Sequence, residues 1–155
     1  MLELVQPGSV EDIRTTRELF REYAASLGEE FCFLNFEQEL RDLPGEYAPP
    51  AGRLFLARMD TALAGCVGLR RIDAATCEMK RLYVRPSFRG QHLGRTLANT
   101  VIQQAREIGY STMRLDTLPS MREAVPLYES LGFTRIPAYN SNPIPGVIFM
   151  ELKLA

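Results

Sequence analysis

CEMKRLYVRPSFRGQHLGRTL, residues 77–97, decides how this chain is read. Its first part, Cys77–Val84, has the composition of a strand, and Pro86 ends it because proline has no N–H for a sheet ladder. Its last part opens a helix: Leu93, Leu97, Val101, Ile102, Ala105 and Ile108 recur at helical spacing, and Gly109 reads as the C-cap. Between strand and helix lies Arg89-Gly90-Gln91-His92-Leu93-Gly94. Two glycines and three donor side chains stand where a helix starts. Helix starts expose unpartnered N–H groups and the positive end of the macrodipole. The loop is therefore either a plain turn or an anion site. It matches neither the dinucleotide fingerprint nor the Walker pattern.

Outward from this stretch, the elements alternate. Leu2–Gln6 reads as a strand. Ser9 opens a helix carrying Ile13, Leu19, Phe20, Tyr23 and Leu27, with Gly28 as its stop. Asn35 begins a shorter helix to Leu43. LPGEYAPPAG, residues 43–52, is a loop by its three prolines and two glycines. Arg53–Met59, Leu63–Ile72 and Cys77–Val84 form an antiparallel meander with tight turns at Asp60-Thr61 and Asp73–Thr76. After the helix at Gly94–Ile108 comes a strand at Thr112–Thr117. Ser120–Glu123 has the spacing of a capping box. Ala124, Leu127, Tyr128 and Leu131 face inward on the helix that follows, although Pro126 sits inside it. Phe133–Ile136 and Gly146–Leu154 close the chain as strands. The order predicts a mixed α/β fold, with the Gly94–Ile108 helix crossing between parallel strands.

At 155 residues the chain is expected to be a single domain, 1–155. It is 46% hydrophobic and 24% charged, as globular proteins are, and its net charge of −1 argues against nucleic-acid partners. No apolar run approaches the ~20 residues that span a bilayer, so no membrane partner is expected. The first residues do not read as a signal peptide. The three cysteines, Cys32, Cys66 and Cys77, lack metal-site spacing and read as reduced thiols of a cytoplasmic protein. With one histidine, no multi-histidine metal site is expected.

Residues 77–97 resemble the acetyl-CoA-binding signature of the GNAT N-acetyltransferase superfamily: a strand, Arg/Gln-x-x-Gly-x-Gly/Ala, then a helix. AVPLYESLGF, residues 124–133, resembles that superfamily's second block, which ends Leu-Tyr-x-x-Leu-Gly-Phe. The resemblance covers residues 53–135 and implies a GNAT-like single mixed sheet of about seven strands, splayed at its centre and flanked by about four helices. It implies acetyl-CoA as acyl donor, with no metal. The backbone amides of Gln91, His92, Leu93, Gly94, Arg95 and Thr96 would hold the pyrophosphate, beside Arg89 and Gly90. Leu82, Tyr83 and Val84 would run along the pantetheine arm. Two positions depart from the pattern. His92 replaces the first signature glycine, and histidine is enriched in left-handed backbone. Met121 stands where asparagine often opens the second block.

The resemblance also implies roles. Glu78 has the spacing of the general base of some GNAT histone acetyltransferases; otherwise it pairs with Lys80, Arg71 or Arg81. Tyr128 aligns with the tyrosine that often protonates the leaving thiolate; otherwise it packs in the core. The acceptor amine is expected between the N-terminal helices, the 43–52 loop and the last hairpin, where Glu46, Tyr47, Tyr139 and Asn140 are candidates. A small molecule or amino acid is expected rather than a protein, and a homodimer is common in the superfamily. The competing readings are a non-catalytic acyl-CoA-binding regulatory module and an unrelated phosphate-binding domain.

Overall fold

A computed structural model describes residues 1–27 and 35–155. The expected helix stop at Gly28 and the thiol of Cys32 lie outside the described residues. The elements are β1 (Leu2–Val5), α1 (Val10–Ser26), α2 (Phe36–Asp42), β2 (Arg53–Met59), β3 (Ala62–Arg71), β4 (Thr76–Val84), α3 (Leu93–Ile108), β5 (Thr112–Thr117), α4 (Ala124–Ser130), β6 (Thr134–Ile136) and β7 (Ile148–Lys153). The strands form one seven-stranded sheet in the order β1-β2-β3-β4-β5-β7-β6. Every pairing is antiparallel except β4 with β5. This is the mixed sheet with four flanking α-helices that the resemblance implies.

Local chemistry sets the elements. Ser9 caps α1 by accepting the Asp12 N–H at 3.0 Å. Asp60 and Thr61 both have positive φ, 50° and 74°, as a two-residue hairpin turn needs. Leu93, Leu97, Val101, Ile102 and Ala105 of α3 are buried against one sheet face with Met113, Leu115 and Met150. Leu19, Phe20, Leu40 and Leu56 fill the other face. Each such side chain contributes about 1.5–3 kcal/mol on leaving water.

The expected capping box does not form. Glu123 is the N-cap of α4 and no side chain caps it. The helix starts late, at Ala124, which puts Pro126 in the first turn, where a backbone N–H has no helical partner to lose.

The central strand sets the site. Cys66 of β3 faces Tyr83 and Gly68 faces Lys80, so Val67 alone opposes both Arg81 and Leu82. This is a β-bulge, and Arg81 takes φ 60° there. On its other edge β4 pairs with β5 only at Thr76, Cys77 and Glu78. Beyond Glu78 the two strands part. A left-handed arginine is unfavourable by itself. It is held from the α2 side by Glu39, which accepts from Arg81 Nε at 3.0 Å and Nη2 at 2.9 Å. The guanidinium also lies 5.6 Å from the Phe36 ring centroid. Removing one partner of such a buried pair costs about 3 kcal/mol or more. Glu39→Ala is expected to lower stability by about 3 kcal/mol in urea unfolding with an unchanged m-value. A loss below about 1 kcal/mol would show that the bulge does not depend on the pair.

Candidate active site

Two connected hollows follow from the parting of β4 and β5. The larger is a groove of about 780 Å³ along Leu82–Val84, the start of α3 and the residues before α4. At its floor, His92 is the N-cap of α3 with φ 60° and ψ 21°, and no side chain caps the helix. Histidine therefore keeps the left-handed turn that the signature gives to glycine. The amides of Leu93, Gly94 and Arg95 lie in the first turn, without helical acceptors. Gly90, at φ 84°, continues the concave run, and nothing lies within 4 Å of where its side chain would begin. These amides suit a pyrophosphate; each hydrogen bond to a charged group adds about 1.5–3 kcal/mol.

One detail corrects the expectation for this loop, and two add to it. The Thr96 N–H already donates to His92 O at 3.1 Å, so it is the first bond of the helix and not part of the cradle. Arg95 reaches Ser130 Oγ at 2.7 Å, which ties α3 to α4. Arg89 Nε donates to Val84 O at 3.1 Å and occupies a carbonyl expected to face the pantetheine arm. Met121 lines the groove, and Thr117 Oγ1 lies 3.8 Å from its sulfur.

The smaller hollow, about 60 Å³, sits where β4 leaves β5. Tyr128, Lys80, Asp116 and Asn142 line it, with Tyr23 and Leu82 at the side of the groove. Tyr128 packs against Phe133 at 5.7 Å between ring centroids. Its hydroxyl has no hydrogen-bond partner among the described residues, yet it is not sealed from solvent. Burial pushes its pKa up, so the phenol keeps its proton.

Glu78 is 2% exposed. Arg70, directly opposite on β3, donates from Nε at 2.8 Å, and the Tyr139 hydroxyl donates at 2.5 Å. Lys80 Nζ lies 4.0 Å away. Of the expected partners, Lys80 is present, while Arg70 takes the place of Arg71 and Arg81. Burial and the Glu78 charge raise the pKa of Tyr139. Asn140 Nδ2 donates to Asp116 at 2.9 Å, and Lys80 Nζ sits 3.4 Å from the other oxygen. Burial alone would raise the Asp116 pKa; Lys80 and the amides of Asn140 and Asn142 outweigh it and hold the carboxyl below its ordinary value.

Tyr139 and Asn140 thus join β4 and β5 at the mouth of the split. Glu46 is on the rim, paired with Arg70 at 3.1 Å. Tyr47 is not a surface residue: it is 1% exposed, edge-on to Phe20 at 5.9 Å, and its ring lies over Gly68, where a Cβ would be 2.7 Å away. The absence of a side chain at Gly68 draws it into the core. Cys66 and Cys77 are buried, and burial pushes the Cys77 thiol up to about 12. That argues against a thiolate nucleophile. Sequence reasoning passed over Asp116, Asn142 and Arg70. The one available signal for Asp116 was the alternation along β5, which points Arg114 and Asp116 away from the Met113–Leu115 core face.

Residues 14–133 match the model of the acetyltransferase (GNAT) family. An uncharacterized N-acetyltransferase of Schizosaccharomyces pombe is 40% identical over 147 residues, covering 94% of this chain and 90% of that one. A GNAT-family acetyltransferase of Staphylococcus aureus superposes with a TM-score of 0.81 at 20% identity, over 100% of both chains. The PaiA N-acetyltransferase of Thermoplasma acidophilum, solved in complex with coenzyme A, gives 0.77 at 21% identity over 99% of both.

The lowered pKa of Asp116 has a consequence for stability. Its contribution is present above the ordinary carboxylate pKa of 3.8 and is lost as pH falls below it, through the lower folded value. Replacing Asp116 by Asn is expected to remove that part of the acid slope. Urea midpoints measured from pH 5 downward should fall less steeply in the variant; parallel slopes would contradict this.

Proposed function

The chain belongs to the GNAT acetyltransferase family and is an N-acetyltransferase, and on that premise we propose that it moves an acetyl group from acetyl-CoA to the primary amine of a small molecule or amino acid. The observation that carries the reading is the pairing of an uncapped α3 N-terminus in the groove with the free Tyr128 hydroxyl in the adjoining hollow. The first suits a pyrophosphate, and the second suits the departure of a thiolate. Acetyl-CoA, when bound, supplies the activated thioester.

This chain's residues then divide the work. An alkylammonium has a pKa near 10.4, so freeing its nitrogen at neutral pH costs about 4–5 kcal/mol. Glu78 is the proposed destination of that proton. Both of its oxygens are engaged, so the route runs through the Tyr139 phenol, which can accept from the amine while passing its own proton on. Direct attack by the amine forms the C–N bond as the C–S bond breaks. A backbone N–H near Leu82 is the proposed donor to the carbonyl oxygen as charge develops on it. Tyr128 gives its proton to the thiolate and regains one from solvent. The nitrogen sheds its second proton to solvent as the amide forms and Glu78 returns the first, so each turn transfers one acetyl group and releases one net proton. A regulatory module that only binds acyl-CoA would have no use for a phenol at the split.

Thermal melts with acetyl-CoA, CoA, ATP and NADH test the donor. Acetyl-CoA and CoA should raise the melting temperature, with a gain of about 2.7 kcal/mol at a hundred times Kd, and ATP and NADH should not. No shift at millimolar acetyl-CoA would reject the reading. Thiol release with an amine panel tests the transfer. Tyr128→Phe should lower kcat by about 10²–10⁴-fold and keep the acetyl-CoA melt shift. An unchanged kcat would remove Tyr128 from the chemistry.

A further inference from the structure

The floor beyond the split is built from ion pairs rather than from a single sign of charge. Arg70 meets Glu78 at 2.8 Å, Lys80 meets Asp116 at 3.4 Å, and Arg114 meets Glu151 at 2.9 Å. Arg70 also pairs with Glu46 at 3.1 Å on the rim, so the charges that cancel one for one at the hollow itself are those of Lys80 and Asp116. An acceptor with net positive charge would add an unbalanced charge beside that pair, whose side chains are largely buried, and such a charge is costly.

Lys80 and Asp116 are the pair at the hollow itself. Both line it beside Tyr128, and each side chain is 12% exposed. They are also not equally secured. Asp116 keeps the Asn140 and Asn142 amides on its second oxygen, at 2.9 and 3.5 Å. Among the described residues Lys80 has, besides Asp116, only Glu78 at 4.0 Å, and Glu78 is already shared between Arg70 and Tyr139. An amine that took Asp116 for itself would leave Lys80 with that distant partner. A carboxylate on the same acceptor would repair the loss. An ammonium and a carboxylate borne on one carbon match, with opposite sense, the charges that Asp116 and Lys80 present side by side.

We propose that the acceptor is an α-amino acid, its ammonium held by Asp116 and its carboxylate by Lys80, the internal pair opening to exchange partners with the zwitterion. This rests on the small-amine reading above and narrows it. Lys80 is then the residue that sets specificity, and Asp116 the residue that binds the amine.

Thiol release from acetyl-CoA is measured with the common amino acids, with their methyl esters, and with the decarboxylated amines of alanine, leucine, methionine and phenylalanine. At least one amino acid should exceed its own ester and amine by about tenfold or more in kcat/KM, because the acid alone re-pairs Lys80. In Lys80→Met that ratio should fall to within about threefold of one, while the KM for acetyl-CoA and the acetyl-CoA melt shift stay as in the wild type. A residue needed only for folding would not move the acid-to-ester ratio. Lys80→Arg, which keeps the charge, should keep a preference for the acid. Esters and amines used as well as acids would overturn the proposal. So would an unchanged ratio in a folded Lys80→Met. If that variant does not fold, the wild-type ratios decide. No thiol release with any member of the three sets would reject the small-amine reading itself, and this proposal with it.

Discussion

The structure depends on a strand that cannot stay paired along both edges. β4 keeps its bonds to β3 by way of a bulge at Arg81 and gives up β5 after three residues. A bulge increases local twist and turns the strand. Arg81 would favour another conformation, so something must hold it, and Glu39 on α2 does so with two hydrogen bonds. Helix α2 thus has a purpose beyond covering the sheet. It anchors the distortion that opens the sheet, and the groove and the hollow both follow from that opening.

An open split in a sheet would normally be a defect, with unpaired backbone exposed near the core. Here each side of it is assigned. On one face, α3 begins at the split and points uncapped amides along it. On the other face, the segment after β6 crosses the split, with Tyr139 bonded to Glu78 of β4 and Asn140 to Asp116 of β5. Tyr128 rises between the strands with its hydroxyl available. Uncapped backbone amides, a protonated phenol and paired charges therefore lie along one path through the sheet. The order matches what acetyl transfer requires from pyrophosphate to thioester to amine.

Legibility in the sequence followed the range of the interactions. The α3 stripe, its Gly109 stop and the loop at Arg89–Gly94 were readable because neighbouring residues determine them. Tyr128 was singled out through the resemblance of residues 124–133 to a family block, and it lines the hollow at the split. Glu78, Tyr139 and Asn140 were candidates, but the pairings among the charged side chains at the split were not readable. Lys80 and Asp116 are 36 residues apart, Tyr139 and Glu78 are 61 apart, and Arg81 and Glu39 are 42 apart. No local pattern announces such pairs. Tyr47 misled for a related reason. Its loop has a surface composition, but Gly68 on a distant strand leaves space that its ring fills. Ser120 misled in the opposite way: its spacing to Glu123 fits a capping box, yet α4 starts only at Ala124.

The paired charges also bear on why the floor is polar at all. Buried ion pairs seldom stabilise a fold more than apolar side chains of similar size would. Arg70, Arg114 and Glu151 keep partial contact with solvent, so the pair that stability leaves unexplained is Lys80–Asp116 at the hollow. Arg114 shows the contrast: it pairs with Glu151 and lies 5.5 Å from the Tyr139 ring, so it supports the crossing segment from below. Glu78 is similarly consumed by Arg70 and Tyr139. Among the described residues, only the Lys80–Asp116 pair both faces the hollow and lacks a strong substitute partner on its cationic side. A charge arrangement that is balanced when empty and can be rebalanced by one kind of ligand is a selection device. Its cost in stability buys discrimination between acceptors that differ by a single carboxylate.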